Sequence, residues 1–155
     1  MDRIPITKDG LEKLKEELVR LERAERPANI RAIEEARGHG DLSENAEYHA
    51  AKERQSFLDG RINELRMIIG KAEVIATDDT PSDRVVFGRT VKLYDISTEQ
   101  EFQYQLLGPY ESDPDKGRIS VTSPLGQALI GTRVGDEVRV RTPRGVQEFE
   151  ILEIR

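Results

Sequence analysis

The chain is 155 residues long, room for one ordinary domain or two small ones, and 35% of it is charged. With 24 basic and 30 acidic side chains the net charge is −6, which argues against wrapping bare nucleic acid, a task that needs a basic footprint; any contact with DNA is expected to be weak and indirect. There is no Cys and only His39 and His49 as histidines, so disulfides, thiolate zinc sites, a cysteine nucleophile and a His-rich metal site are all excluded.

The N-terminus, Met1-Asp2-Arg3-Ile4-Pro5, lacks the apolar core of a signal peptide, and no apolar run reaches membrane-spanning length. A cytoplasmic protein without a membrane segment is expected. From Thr7 to Ala72 the composition is rich in Glu, Lys, Arg, Leu and Ala. Leu11, Leu14, Leu18 and Leu21 recur at alternating steps of three and four, as do Leu58, Ile62, Leu65, Ile69 and Ala72. Such narrow stripes are coiled-coil seams. Thr7 is placed to cap the first helix, with Asp9 complementing its dipole. Gly38-His39-Gly40-Asp41 reverses the chain between two arms of equal length, Lys8 to Arg37 and Ser43 to Ala72, each about 45 Å long. The product is an antiparallel helical hairpin. Pro27 lacks an N–H, so a kink or local break is expected near residues 23–27. Beyond it the seam is expected to narrow to Ala28, Ala32 and Ala36 against Ala46, Ala50 and Ala51, leaving a slender far end.

Strand-like texture begins at Val74, in the runs 74–76, 85–87, 90–94, 101–107, 118–122, 137–141 and 146–154. Gly108-Pro109, Asp113-Pro114-Asp115, Gly135-Asp136 and Pro143-Arg144-Gly145 supply the turns. One short helix fits Pro124 to Ile130, with Ser123 as N-cap and Gly131 ending it. Phe87, Phe102 and Phe149 are the aromatic core candidates, and Asp78 to Arg84 reads as a linker. The fold class is α+β: a helical hairpin over 1–75, then a small antiparallel-sheet domain with one short helix over 76–155.

The reversal carries the chemistry. Asp41, Glu44 and Glu47 crowd the end of a long rod, and Asp41 and Glu44 are three apart. Spacing alone favours a plain explanation, in which Asp41 caps the second helix and Glu44 reaches back to complete the box. Two carboxylates also supply too few ligands for a tight Mg²⁺ site.

The run Gly40-Asp41-Leu42-Ser43-Glu44-Asn45-Ala46-Glu47-Tyr48-His49-Ala50-Ala51-Lys52-Glu53 resembles the tip of the bacterial GreA-type transcript cleavage factors. Ser123-Pro124-Leu125-Gly126-Gln127-Ala128-Leu129-Ile130-Gly131, followed by Gly135-Asp136-Glu137-Val138, resembles their C-terminal domain, and Pro5, Arg26-Pro27 and Phe87-Gly88 also fall where the family carries them. The resemblance spans essentially the whole chain. It implies an FKBP-like second domain and an RNA polymerase partner whose secondary channel admits the hairpin. The polymerase then hydrolyses backtracked RNA; the factor itself is not an enzyme. Asp41 and Glu44 match the family's acidic pair, which helps hold a Mg²⁺ shared with the polymerase active site, with no tightly bound cofactor on the free protein. Arg37 and Lys52 correspond to candidates for the extruded RNA, and Ser123 and Pro124 to the loop that docks on the polymerase. Tyr48, His49 and Asn45 are placed to orient RNA or tip. The chain is expected to be a monomer. Three rivals remain: a non-cleaving relative that inhibits polymerase, a prolyl isomerase, and a structural coiled-coil adaptor. The cleavage-type tip disfavours the first. Absence of Trp and commitment of most Phe to strands disfavour the second, and the tip acids and glycines are left unexplained by the third.

Overall fold

The structure, a computed structural model, describes residues 2–40, 45–77 and 83–155. It forms two compact units: Leu11–Lys71, and the residues on either side of it.

The first unit is the hairpin. Its first arm runs through α1 (Lys8–Arg20), a π-helical turn at Leu21–Glu25 and α2 (Arg26–Arg37); its second is α3 (Ala46–Lys71). Pro27 therefore does not break the arm. The turn before it widens, and the N–H of Arg26 reaches back to the carbonyl of Leu21, five residues away. That extra residue has a consequence for the seam. A regular helix continued from Leu21 would bring Ala28 and Ala32 inward, but both are exposed. Asn29 and Ile33, each one place later, are buried instead, and Ala36 is buried as expected. On α3, Ala51, Leu58, Ile62, Leu65 and Ile68 are buried, whereas Ala46 and Ala50 are exposed and Ile69 is half-buried. The expected alanine seam therefore holds at Ala36 and Ala51 but not at Ala28, Ala32, Ala46 or Ala50, and Asn29 and Ile33 supply the rest of the far end.

Ion pairs line both flanks of the seam. Arg26–Asp59 (2.6 Å), Arg66–Glu22 (2.7 Å) and Arg54–Glu25 (3.3 Å) all cross between the arms. Arg61 is the best placed of these cations: its Nε and Nη2 donate to the two oxygens of Glu17 at 2.8 Å each, and Nη1 pairs with Glu64. The Arg61 hydrogen bonds, outweighing partial burial, hold the Glu17 carboxyl below its ordinary value of 4.5. The unfolded chain takes up that proton more readily. The pair therefore stabilises the hairpin fully at neutral pH, begins to lose its effect as pH falls below the ordinary value, and contributes nothing once pH has passed below the folded value. Thermal melts from about pH 6 down to about pH 3 should show a steeper loss in the native chain than in Glu17→Gln, with about 0.5–1 kcal/mol separating them at neutral pH. Parallel curves would show that the pair is energetically silent.

The second unit is built on a five-stranded sheet. Its strands are β3 (Thr90–Asp95), β4 (Gln100–Leu107), β5 (Arg118–Ser120), β6 (Glu137–Thr142) and β7 (Gly145–Ile154), in the order β5-β4-β3-β7-β6. All neighbours are antiparallel except β4 and β5, which run parallel, Leu106 opposite Ile119. The short helix α4 (Pro124–Leu129) seals one face. Leu129 joins Val85, Val91, Leu93, Leu106, Ile119, Val140, Phe149 and Ile151 in the core. Phe102 leans on this core, edge-to-face with Phe149.

Two expectations need correction here. Residues 85–87 are not a strand: Val85 exchanges hydrogen bonds with the segment after α4, donating to Thr132 O and accepting from Gly131 N. Phe87, which follows, is half-buried beside the core rather than in it. A second, two-stranded sheet is also present. β1 (Ile4–Ile6) lies parallel to β2 (Ala72–Val74), with Ile6 fully buried. Of the expected linker at 78–84, residues 78–82 lie outside the described residues.

Gly126 shows how closely α4 is seated. A Cβ there would overlap the backbone carbonyl of Ser120. Gly126→Ala gains helix propensity of about 1 kcal/mol, yet the clash is with backbone that strand pairing holds in place. A net destabilisation of about 1–3 kcal/mol is expected in urea unfolding; a neutral or stabilised variant would mean that α4 can lift without cost.

Candidate functional site

Asp41 and Glu44 lie outside the described residues, but the two helix ends that flank them do not. The C-terminus of α2 and the N-terminus of α3 are joined by Asn45. Its Oδ1 accepts from the N–H of Tyr48 at 3.1 Å, the bond of an N-cap, and its Nδ2 donates to the carbonyl of Ala36 at 2.6 Å. One side chain thus satisfies an orphan donor of α3 and a terminal carbonyl of α2. Asn45 is thus an N-cap of α3, and the capping box expected of Asp41 and Glu44 lies outside the described residues. Asn45 was expected to orient RNA or tip; Asn directly before an Ala-Glu start is itself a cap signal.

Around this end, His39 Nδ1 and Glu47 Oε2 approach to 3.1 Å across the reversal, and Gly40 takes a left-handed φ of 105° that favours glycine. The rings of Tyr48 and His49 meet edge-on at 5.8 Å. Arg37 is the last residue of α2 and is exposed, where its charge also suits the helix dipole. Lys52 is exposed nearly two turns into α3 and donates to Gln55 at 2.9 Å. Arg37 and Lys52 are thus cations on two different arms. No group of three His, Asp or Glu side chains among the described residues stands close enough to hold a metal ion, and none of the described helices is long and apolar enough to cross a membrane.

The second candidate surface lies in the globular unit. Ser123 caps α4 as expected: its Oγ accepts from Gly126 N–H at 3.1 Å and donates to the Ser120 carbonyl at 2.6 Å. Its hydroxyl is engaged internally, so the exposed ring of Pro124 is the outward part of this pair. The same unit carries an apolar groove of about 480 Å³, lined by Pro5, Ile75, Val86, Phe87, Val121, Gln127 and Ile130. Val86 and Ile130 remain more than 40% exposed there, which marks an apolar surface with space for a partner's side chains. Phe87, expected in the core, lines this groove.

Family models match along nearly the whole chain: one described as "Transcription elongation factor, N-terminal" over residues 4–74, and one as "Transcription elongation factor, GreA/GreB, C-term" over residues 80–155. The chain is 56% identical to the "Transcription elongation factor GreA" of Syntrophobacter fumaroxidans, covering 100% of this chain and 99% of the relative. It is 54% identical to that of Thermodesulfovibrio yellowstonii, covering 99% and 97%. Among solved structures it is similar to GreA factor homolog 1 of Thermus thermophilus, at 28% identity, 99% coverage of each chain and a TM-score of 0.44.

Proposed function

The chain belongs to the GreA/GreB family of transcription elongation factors, and from that premise we propose that it binds RNA polymerase and stimulates the polymerase's own hydrolysis of backtracked RNA. The hairpin enters through the secondary channel, and the new RNA 3′ end left by cleavage lies in register for synthesis. The observation that carries this reading is the match to the family's N-terminal model over residues 4–74, which spans the tip sequence with its two carboxylates, Asp41 and Glu44.

These two side chains are hard oxygen donors of the kind Mg²⁺ takes, and too few to fill its six-coordinate shell, so they suit an ion shared with the polymerase rather than a resident one. That ion, when bound, supplies Lewis-acid stabilisation and a more acidic water. Asp41 and Glu44 lend carboxylate oxygens and orient the attacking water. Arg37 and Lys52 offset the charge of the extruded RNA phosphates. Pro124 and the groove from Phe87 to Ile130 dock the globular unit on the polymerase. The protein works in the cytoplasm, as a monomer, with no tightly bound cofactor.

The test is incubation of the full chain with a stalled, end-labelled elongation complex and Mg²⁺. Shortened RNA that can be extended again is expected. Unshortened RNA with slowed extension would instead identify a non-cleaving inhibitor and overturn the reading.

A further inference from the structure

The exposed side of α3 carries an aromatic ring and a gap that the hairpin itself does not use. Phe57 is 62% exposed. The Arg54 guanidinium lies over its ring, 5.6 Å from the centroid, and also donates to Glu25 of the opposite arm at 3.3 Å. The ring is thereby held from one side while the rest of it faces outward. One turn on, Gly60 is exposed as well, and a Cβ built on it would meet nothing within 4 Å among the described residues outside its own stretch of helix. A glycine in the middle of a helix weakens it relative to alanine, and nothing in the hairpin needs this space. Gly10, Gly108 and Gly126, by contrast, are each pressed by a neighbour. Met67, 41% exposed, follows Gly60 two turns later on the same side.

Resting on the reading of the hairpin as the part that enters the polymerase, we propose that Phe57 and Gly60 make a knob-and-gap contact with a protein wall of the RNA polymerase channel. The ring fills an apolar recess of that wall, and the wall closes on the bare α3 backbone at Gly60. The occupant follows from charge, area and continuity. Glu53 and Glu64, four residues from Phe57 and Gly60 respectively, border the patch with carboxylates, which repel RNA or DNA phosphates. Arg54 and Arg61, the cations on this stretch, are engaged by Glu25, Glu17 and Glu64. A second copy of the chain is poorly served. A Phe side chain carries about 150–250 Å², so what Phe57 and Met67 leave exposed falls well short of the about 800 Å² that each partner buries in a stable dimer. A small patch suffices where it adds to an interface made elsewhere. With the tip and the globular unit engaged by one polymerase, the chain that connects them in sequence meets that same partner at high effective concentration.

The test uses the full chain and a stalled, end-labelled elongation complex, and measures the half-saturating factor concentration, the maximal cleavage rate and the melting temperature. For Phe57→Ala the half-saturating concentration should rise about tenfold at a nearly unchanged maximal rate, as for loss of an aromatic anchor. Gly60→Ala should melt about 2–4 °C higher, because the helix gains propensity. It should nevertheless half-saturate at an about three- to tenfold higher concentration, because a methyl group now stands in the closed gap. A merely structural glycine would not move stability and affinity in opposite directions. The photo-crosslinker benzoylphenylalanine in place of the exposed Ser56, one turn before Gly60, should attach to a polymerase subunit. Unchanged half-saturation in either folded variant overturns the proposal, as does a crosslink to RNA or to a second copy of the chain. A native chain that fails to bind polymerase sinks the functional reading and this contact with it, whereas native binding with indifferent variants sinks the contact alone.

Discussion

Replacing Asp41 by Asn, or Glu44 by Gln, is expected to lower the maximal rate of RNA cleavage by about 100- to 1000-fold while the half-saturating factor concentration stays where it was. The size follows from what a carboxylate does for a metal-assisted displacement. The ion's stabilisation of developing charge is worth several kcal/mol, at about 1.4 kcal/mol per tenfold in rate. The amide retains volume but not charge, and folding should be spared because Asn45 already caps α3 and ties it to Ala36. Asn45→Ala provides the contrast: about 1 kcal/mol of stability lost with the cap, seen in melts. In Asp41→Asn the Mg²⁺ concentration for half-maximal cleavage should also rise, because one ligand of a shared ion is gone. A reduced maximum with an unchanged Mg²⁺ midpoint would make Asp41 a water-orienting residue rather than a ligand. Intact cleavage combined with lost stability in Asp41→Asn would reinstate a purely structural role for the pair.

Ile130→Glu should show the opposite kinetic signature. Ile130 lines the apolar groove and is 41% exposed, so a charged replacement does not have to be buried in the free protein. In a docked complex it would have to be. A desolvated, unpaired carboxylate at the centre of an interface typically costs 2 kcal/mol or more. The half-saturating concentration should therefore rise at least about tenfold, with the maximal rate reached at high factor concentration. Unchanged half-saturation would remove the groove from the docking surface and leave Pro124 to be tested alone. Together the two kinds of variant separate the tip, which sets the rate, from the globular unit, which sets the affinity.

Much of the fold was legible along the chain because its signals are local. The leucine stripes, the Thr7 cap, the Gly-rich reversal and the Ser123-Pro124 start of α4 each depend on neighbours within a turn or two. The structure repeats them, with Thr7 and Ser123 capping as expected. The strands β3, β4, β6 and β7 likewise follow their alternating patterns between turn residues. Of the site, the tip acids, Arg37, Lys52, Ser123 and Pro124 stood out by motif, and the structure adds what surrounds those it describes.

The remainder could not be read locally. Whether Pro27 breaks a helix or widens one turn depends on the packing of the opposite arm, and the single inserted residue moved the distal seam from Ala28 and Ala32 to Asn29 and Ile33. Phe87 has the composition of a core residue, and only the approach of Pro5, Ile75 and Ile130 from distant parts of the chain makes it a groove wall. The β1–β2 pair and the Thr7–Glu111 hydrogen bonds join residues more than sixty positions apart. Sequence by itself determined the two helical arms, the short helix α4 and the main strands of the five-stranded sheet, because caps, periodicity and turn chemistry act over a few residues. The tertiary structure alone decided which faces are buried and which polar groups meet, because those outcomes depend on what remote segments bring to the same place.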